Sequence, residues 1–205
     1  PIFTCIVGAS GSGKTTLLKM LNRLIVPDEG TICYNGENLA QMDSVALRRN
    51  VVMLGQTPVT YPGTIGENLQ IGRLFSERVP RPESALREIL REVELEKLPD
   101  DGCSTLSGGE KQRLCLARVL LMDAETYLLD EPSSALDKKT EEFILDVLVK
   151  FVRERNKELI MVTHSPQVAG RFPEARIRIV KGEVEENTAH PEEENLSAER
   201  RNGHE

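Results

Sequence analysis

The chain has 205 residues, 39% of them hydrophobic and 29% charged, which suits one globular domain of ordinary size with a real core. Its net charge of −7 and its lack of a Lys/Arg cluster argue against a dedicated nucleic-acid surface, so no nucleic-acid partner is expected. No apolar run approaches the ~20 residues that span a bilayer, so any membrane role is expected to come through a partner.

In chain order, "IFTCIV" is a β-branched and apolar run that reads as a buried strand leading into a glycine-rich loop. "KTTLLKMLNRLI" has helical spacing and is ended by "VPDEG". "GTICYNGENL" alternates like a strand closed by an Asn-Gly turn, "VALRRN" is a short helix and "VVML" another buried strand. From Thr57 to Leu106 prolines break the segment, leaving "TIGENL" and "SALREILREVEL" as helices. Leu86, Ile89, Leu90 and Val93 form one apolar stripe, read as a packing face. A long helix over "SGGEKQRLCLARVLLM" is followed by the strand "TYLLD", the helix "KKTEEFILDVLVKFVRER" and the strand "ELIMVTH". "ARIRIVKGEVEE" closes the body as a hairpin around Lys181-Gly182.

Strands alternating with crossover helices predict an α/β fold: a mainly parallel sheet flanked by helices, with a small helical subdomain inserted. The expected division is a catalytic core over 1–56 and 107–186, a helical subdomain over 57–106 and an acidic, disordered tail over 187–205. Eight acidic and two basic residues between Glu183 and Glu205 account for most of the net charge. Cys5, Cys33, Cys103 and Cys115 form no CxxC or Cys/His cluster, and neither zinc nor a disulfide is expected of them.

"GASGSGKT", Gly8 to Thr15, fits G-x-x-x-x-G-K-[ST] between a predicted strand and a predicted helix. Glycines let backbone N–H groups converge on phosphate oxygens, and the helix N-terminus adds about half a positive charge. Lys14 is expected to reach the β- and γ-phosphates, and the Thr15 hydroxyl to ligate Mg²⁺. Gly8, Ala9, Ser10, Gly11, Ser12, Gly13, Lys14, Thr15 and Thr16 are the candidate nucleotide-binding residues. In "TYLLDE", Asp130 emerges at the carboxyl end of an apolar strand, where open α/β sheets bind ligands, and would hold Mg²⁺. Glu131 beside it would polarise the attacking water as a general base.

"LSGGEKQR", Leu106 to Arg113, followed by "DEPSSALD", resembles the signature of the ABC-type ATPases, and the resemblance runs from Ile2 to about Glu186. It implies a P-loop NTPase that binds ATP and Mg²⁺. Residue by residue, Gln56 resembles the glutamine that contacts Mg²⁺ and the attacking water. Ser107, Gly108 and Gly109 resemble the signature that binds the γ-phosphate of ATP held by a second copy. "SALD", Ser134 to Asp137, resembles the loop that communicates between copies, with Asp137 counted among the nucleotide-binding residues, and His164 resembles the switch histidine at the γ-phosphate. A helix opening on "SGG" is itself a second anion site, which agrees with ATP held between two head-to-tail subunits.

The resemblance implies a homodimer, or a pair with another ATPase subunit, in the ATP-bound state, serving a transmembrane permease subunit at the cytoplasmic face of the membrane. "GQTPVTYPGTIGENL" with the signature helix resembles most the FetA-type ATPases of metal-export systems. The alternative is a soluble ABC ATPase of DNA repair or translation, but no long insertion separates the phosphate loop from the signature and a tandem second ATPase domain is not expected. Family members carry antiparallel strands ahead of the glycine loop, including an aromatic that stacks on adenine. Here only seven residues precede the loop, with Phe3 inside the strand, so those strands are expected to be missing, a sheet edge exposed and no adenine platform assignable.

Overall fold

The computed structural model describes residues 3–133, 136–171 and 176–188. The elements run β1 (Phe3–Val7), α1 (Lys14–Leu21), β2 (Cys33–Tyr34), β3 (Glu37–Asn38), α2 (Ser44–Asn50), β4 (Val51–Leu54), α3 (Ile65–Phe75), α4 (Glu83–Glu92) and α5 (Gly108–Leu121). There follow β5 (Thr126–Asp130), α6 (Lys138–Glu154), β6 (Glu158–Val162), α7 (Pro166–Gly170), β7 (Arg176–Val180) and β8 (Glu183–Asn187). Six strands form one sheet in the order β4-β5-β6-β1-β7-β8; every pairing is parallel except that of β7 with β8. This is the mainly parallel α/β sheet that the alternation of strands and helices predicts. β2 and β3 stand apart as an antiparallel pair.

Side chains alternate across the sheet with the period of two that a strand imposes. Cys5, Tyr127, Leu129, Leu159 and Met161 face α3 to α6 on one side. Ile6, Leu128, Val162 and Ile179 face Leu18 of α1 and Leu47 of α2 on the other. Both faces are covered, so β5 is buried along its whole length. Phe3 belongs to the core, in keeping with its expected place inside the first strand. Two hairpins turn on residues with positive φ at both central positions, Asn35-Gly36 (+50° and +83°) and Lys181-Gly182 (+51° and +86°). That backbone twist matches the twist of the flanking strands.

The three longest helices begin where a side chain can take up their free N–H groups. Thr64 and Glu67 form a capping box on α3, Ser107 and Glu110 another on α5, and Asp137 caps α6. The stripe Leu86, Ile89, Leu90 and Val93 is buried as expected, and α3 and α4 pack on α5. Arginines tie the segment after α3 to the core: Arg73 donates to the carbonyls of Val79 (2.9 Å) and Leu121 (3.2 Å), and Arg78 to those of Met122 and Arg49. Cys5, Cys103 and Cys115 are buried, Cys33 is exposed and all four are free.

Several features depart from the sequence reading, among them the length of α3, which runs on to Phe75. α7 was not foreseen; it is short, starts at Pro166 and is capped by the Ser165 hydroxyl. The expected tail begins inside the fold, because Asn187 pairs with Ile177 in the β7–β8 ladder and the Thr188 amide donates to Arg176 O at 2.8 Å. The remainder of that tail, 189–205, lies outside the described residues. Among the described residues no helix is long and apolar enough to cross a membrane.

Candidate functional site

Parallel neighbours end on the same side, so the order β4-β5-β6-β1 lines up four strand ends. β4 leads to Gln56, β5 to Asp130 and Glu131, β6 to His164 and β1 to Gly8. The registers agree: Leu54 lies beside Leu129, Asp130 beside Val162, and Val162 beside Ile6. Carboxyl ends of parallel strands are where open α/β sheets bind ligands.

Beyond the end of β1, Lys14 is buried and its Nζ donates to the carbonyls of Gly8 (2.9 Å) and Ala9 (2.8 Å), using two of its three N–H donors. Gly13 at the N-cap of α1 has φ +102° and no side chain, so no capping group competes for the first-turn amides. Gly8 is fixed by close approach: a Cβ there would fall 2.2 Å from the carbonyl oxygen of Ile179. The β7–β8 turn also braces the loop, with Gly182 N donating to Ser12 O at 3.1 Å. Ser12 is buried, whereas Ser10, Gly11 and Thr16 are exposed. The Thr15 hydroxyl donates to Asp130 Oδ1 at 3.1 Å, joining the loop to β5. Burial pushes the Asp130 carboxyl above the ordinary range and the adjacent Glu131 charge adds to it, while the Thr15 hydrogen bond opposes both.

Glu131 adopts φ +50°, a left-handed conformation that costs a non-glycine residue roughly 1–2 kcal/mol. Its amide donates to Val162 O at 3.0 Å. The turn aims the carboxylate along the row of strand ends, where both oxygens are met. Gln56 Nε2 donates to Oε2 at 2.9 Å, and His164 Nδ1 lies 3.0 Å from Oε1. Thus two residues, 75 positions before and 33 positions after Glu131, converge on its carboxylate. His164 is held by its neighbours: Thr163 N donates to Ile6 O (3.1 Å), and Ser165 N to the Thr163 hydroxyl (3.0 Å). The supporting roles of Thr163 and Ser165 were missed in the sequence, although a Thr-X-Ser frame around a strand-end histidine was available as a signal.

Ser107 is exposed at the start of α5 and bonds reciprocally with Glu110: its N donates to Oε2 (2.8 Å) and its hydroxyl accepts from Glu110 N (3.3 Å). The Ser107 amide holds the Glu110 carboxyl below its usual value. Gly108 and Gly109 form the first turn, and Leu136 lies against Gly109. Asp137 accepts from Thr140 Oγ1 (2.7 Å), Thr140 N and Lys139 N (both 3.1 Å), so its carboxylate is engaged in capping α6. Ser134 and Ala135 of the "SALD" stretch lie outside the described residues. Gln112, not singled out in the sequence, is buried and reaches toward the Glu131 turn.

A family model described as "ABC transporter" matches residues 3–134. The chain is 38% identical over 182 residues to ABC transporter I family member 17 of Arabidopsis thaliana, covering 88% of this chain and 69% of that protein. It is 38% identical over 196 residues to the glutathione/L-cysteine transport system ATP-binding/permease protein CydC of Escherichia coli (strain K12), covering 91% of this chain but only 33% of that protein. Among solved structures, the ATP-binding cassette MJ0796, a dimer in a post-hydrolysis state bound to ADP and Pi, superposes with a TM-score of 0.80 at 33% identity, covering 91% of this chain and 85% of that one.

Proposed function

Because the chain belongs to the ABC transporter family as an ATP-binding ATPase domain, we propose that two copies close head to tail around two ATP molecules and that hydrolysis there powers a transmembrane permease subunit. The observation that carries this reading is the convergence of Gln56 and His164 on Glu131, in line with the phosphate loop. Glu131 is the general base: a carboxylate fixed from both sides beside Asp130 can take a proton from water. Gln56 and His164 orient it, and His164 can turn its other ring nitrogen to a phosphate oxygen. Lys14, already central in the loop, bonds the phosphates with its remaining donor, aided by the open first turn of α1. Ser107, Gly108 and Gly109 supply the second anion site, offered to the nucleotide of the opposite copy.

Mg²⁺ fits the residues present. Thr15 Oγ1 and Asp130 Oδ1 are two oxygen donors 3.1 Å apart. Among the described residues no three His, Cys, Asp or Glu side chains are placed to hold a metal ion together, so phosphate oxygens and water would supply the remaining ligands. Once bound, it would neutralise charge developing on the phosphates. Gln56 gives its amide nitrogen to Glu131, and its amide oxygen is the atom that would join the metal. Asp137 serves the dimer indirectly, by setting the start of α6 after the "SALD" loop.

The permease is expected to dock on the segment that follows Gln56. Val59 and Tyr61 are exposed there, while Arg118 holds the segment from behind through Val59 O (2.8 Å) and Asn68. Such docking would make the protein peripheral at the cytoplasmic face, with 57–106 moving as a unit against the rest. The test is Glu131→Gln, which keeps the side chain's size and removes its basicity. It should lower turnover by about 10²–10⁴-fold while ATP still binds, and should accumulate an ATP-dependent dimer in size-exclusion chromatography. Unchanged steady-state hydrolysis would overturn the assignment of the base.

A further inference from the structure

Gln112 lies on α5 five residues after Ser107, about 7.5 Å along the helix axis. It is only 1% exposed, and Leu114, Cys115 and Leu116 next to it are apolar core. Burying an amide among them is costly unless its polar atoms are bonded. Its Nε2 donates to the carbonyl of Pro132 at 2.9 Å, whereas its Oε1 is buried with no partner among the described residues. A leucine or methionine would fill this space without an orphaned oxygen. The bond to Pro132 is therefore what distinguishes glutamine here.

Pro132 follows Glu131 and carries no N–H, so its carbonyl is the one backbone polar group by which this point can be held. Glu131, at φ +50°, needs such holding, since strained backbone persists only where its surroundings over-determine it. Three bonds do so from three elements. Val162 O on β6 accepts the Glu131 amide, Gln112 on α5 takes the Pro132 carbonyl, and Glu141 on α6 accepts the Ser133 hydroxyl at 2.8 Å. Only α5 also carries Ser107, Gly108 and Gly109 at its first turn. We propose that Gln112 is a positioning residue for Glu131, tying the turn that aims the carboxylate to the helix that opens on the signature. Engagement of Ser107–Gly109 by a nucleotide then bears directly on where the base of the same chain sits. The proposal rests on Glu131 as the base.

The test compares Gln112→Met, which keeps the volume and deletes the donor, with Leu114→Val, a packing change on the same helix. For Gln112→Met, kcat should fall about tenfold with KM for ATP within about twofold, because the lost bond orients a catalytic group and does not bind substrate. Hydrogen exchange at the Glu131 amide should quicken, while exchange in the rest of α5 stays as in the parent chain. Leu114→Val should lower the melting temperature and leave kcat unchanged. Unaltered kcat and unaltered exchange at Glu131 in Gln112→Met would overturn the proposal. So would a kcat loss that both variants share in proportion to their melting temperatures. Exchange reads the Glu131 turn without turnover, so a chain that hydrolysed no ATP would sink the functional reading while this arm still decided the role of Gln112.

Discussion

Asp130 is 3% exposed, and its burial disfavours the ionised form. An acid whose pKa is raised by folding favours the fold at low pH and gives that stability up as pH rises through the folded value. Above the ordinary carboxylate range the buried Asp130 therefore weakens the nucleotide-free fold, which is tolerable if the group is there for a cation. Asp130→Asn keeps an acceptor for the Thr15 hydroxyl and deletes the charge. It should melt at a higher temperature than the parent at neutral pH, with the gap closing as pH falls toward the ordinary carboxylate range of about 4. The same change should cut Mg-dependent ATP turnover by ~10²-fold or more, since a metal's charge is worth several kcal/mol in the transition state. Equal melting temperatures at all pH values, or retained turnover, would refute this account of Asp130. Single residues of this kind were legible in the sequence because the phosphate loop and the strand-end carboxylates act through local backbone. Gln112 was not, since its partner lies 20 positions away and only the folded turn at Glu131 gives the amide a purpose.

At the scale of elements, the periodicities were sufficient for most strands and for the long helices, because burial on a sheet face or a helix stripe leaves a mark in the order of residues. α3 extends well beyond the expected "TIGENL": Leu69 packs inward, and Arg73 near its end is satisfied by carbonyls of distant segments. Long-range bonds of that sort leave no local signal, and the five-residue α7 is too short to display a period. The start of α3, by contrast, was written in the chain. Thr64 accepts from Glu67 N at 3.1 Å and Glu67 Oε2 accepts from Thr64 N at 2.7 Å. Losing such a cap costs typically about 1 kcal/mol, so Thr64→Ala should lower the melting temperature by about 2–4 °C, while Thr64→Ser should keep most of it. A neutral Thr64→Ala, or a Thr64→Ser as damaging as the alanine, would show that the box does not hold the helix.

For the whole molecule, the sheet order does what no single element can. Gln56, Glu131, His164 and the phosphate loop meet because β4, β5, β6 and β1 are adjacent and parallel, though they lie far apart in sequence. That the strands run parallel was implied by the alternation of strands and helices, but their order and the pairing of side chains on Glu131 emerge only in the folded structure. In the proposed function the phosphate loop and the signature turn at Ser107 serve as two separate anion sites within one chain, and each ATP must use one from either copy. Lys14→Ala removes the first and Ser107→Arg blocks the second, so each variant alone should hydrolyse almost no ATP. Mixed in equal amounts, they should form pairs in which one of the two sites is intact, recovering about a quarter of the parent's activity for random pairing. ATP hydrolysis by that mixture is the most direct measurement of the central claim: recovery near this level supports shared sites, and no recovery at concentrations where the parent is active would contradict them.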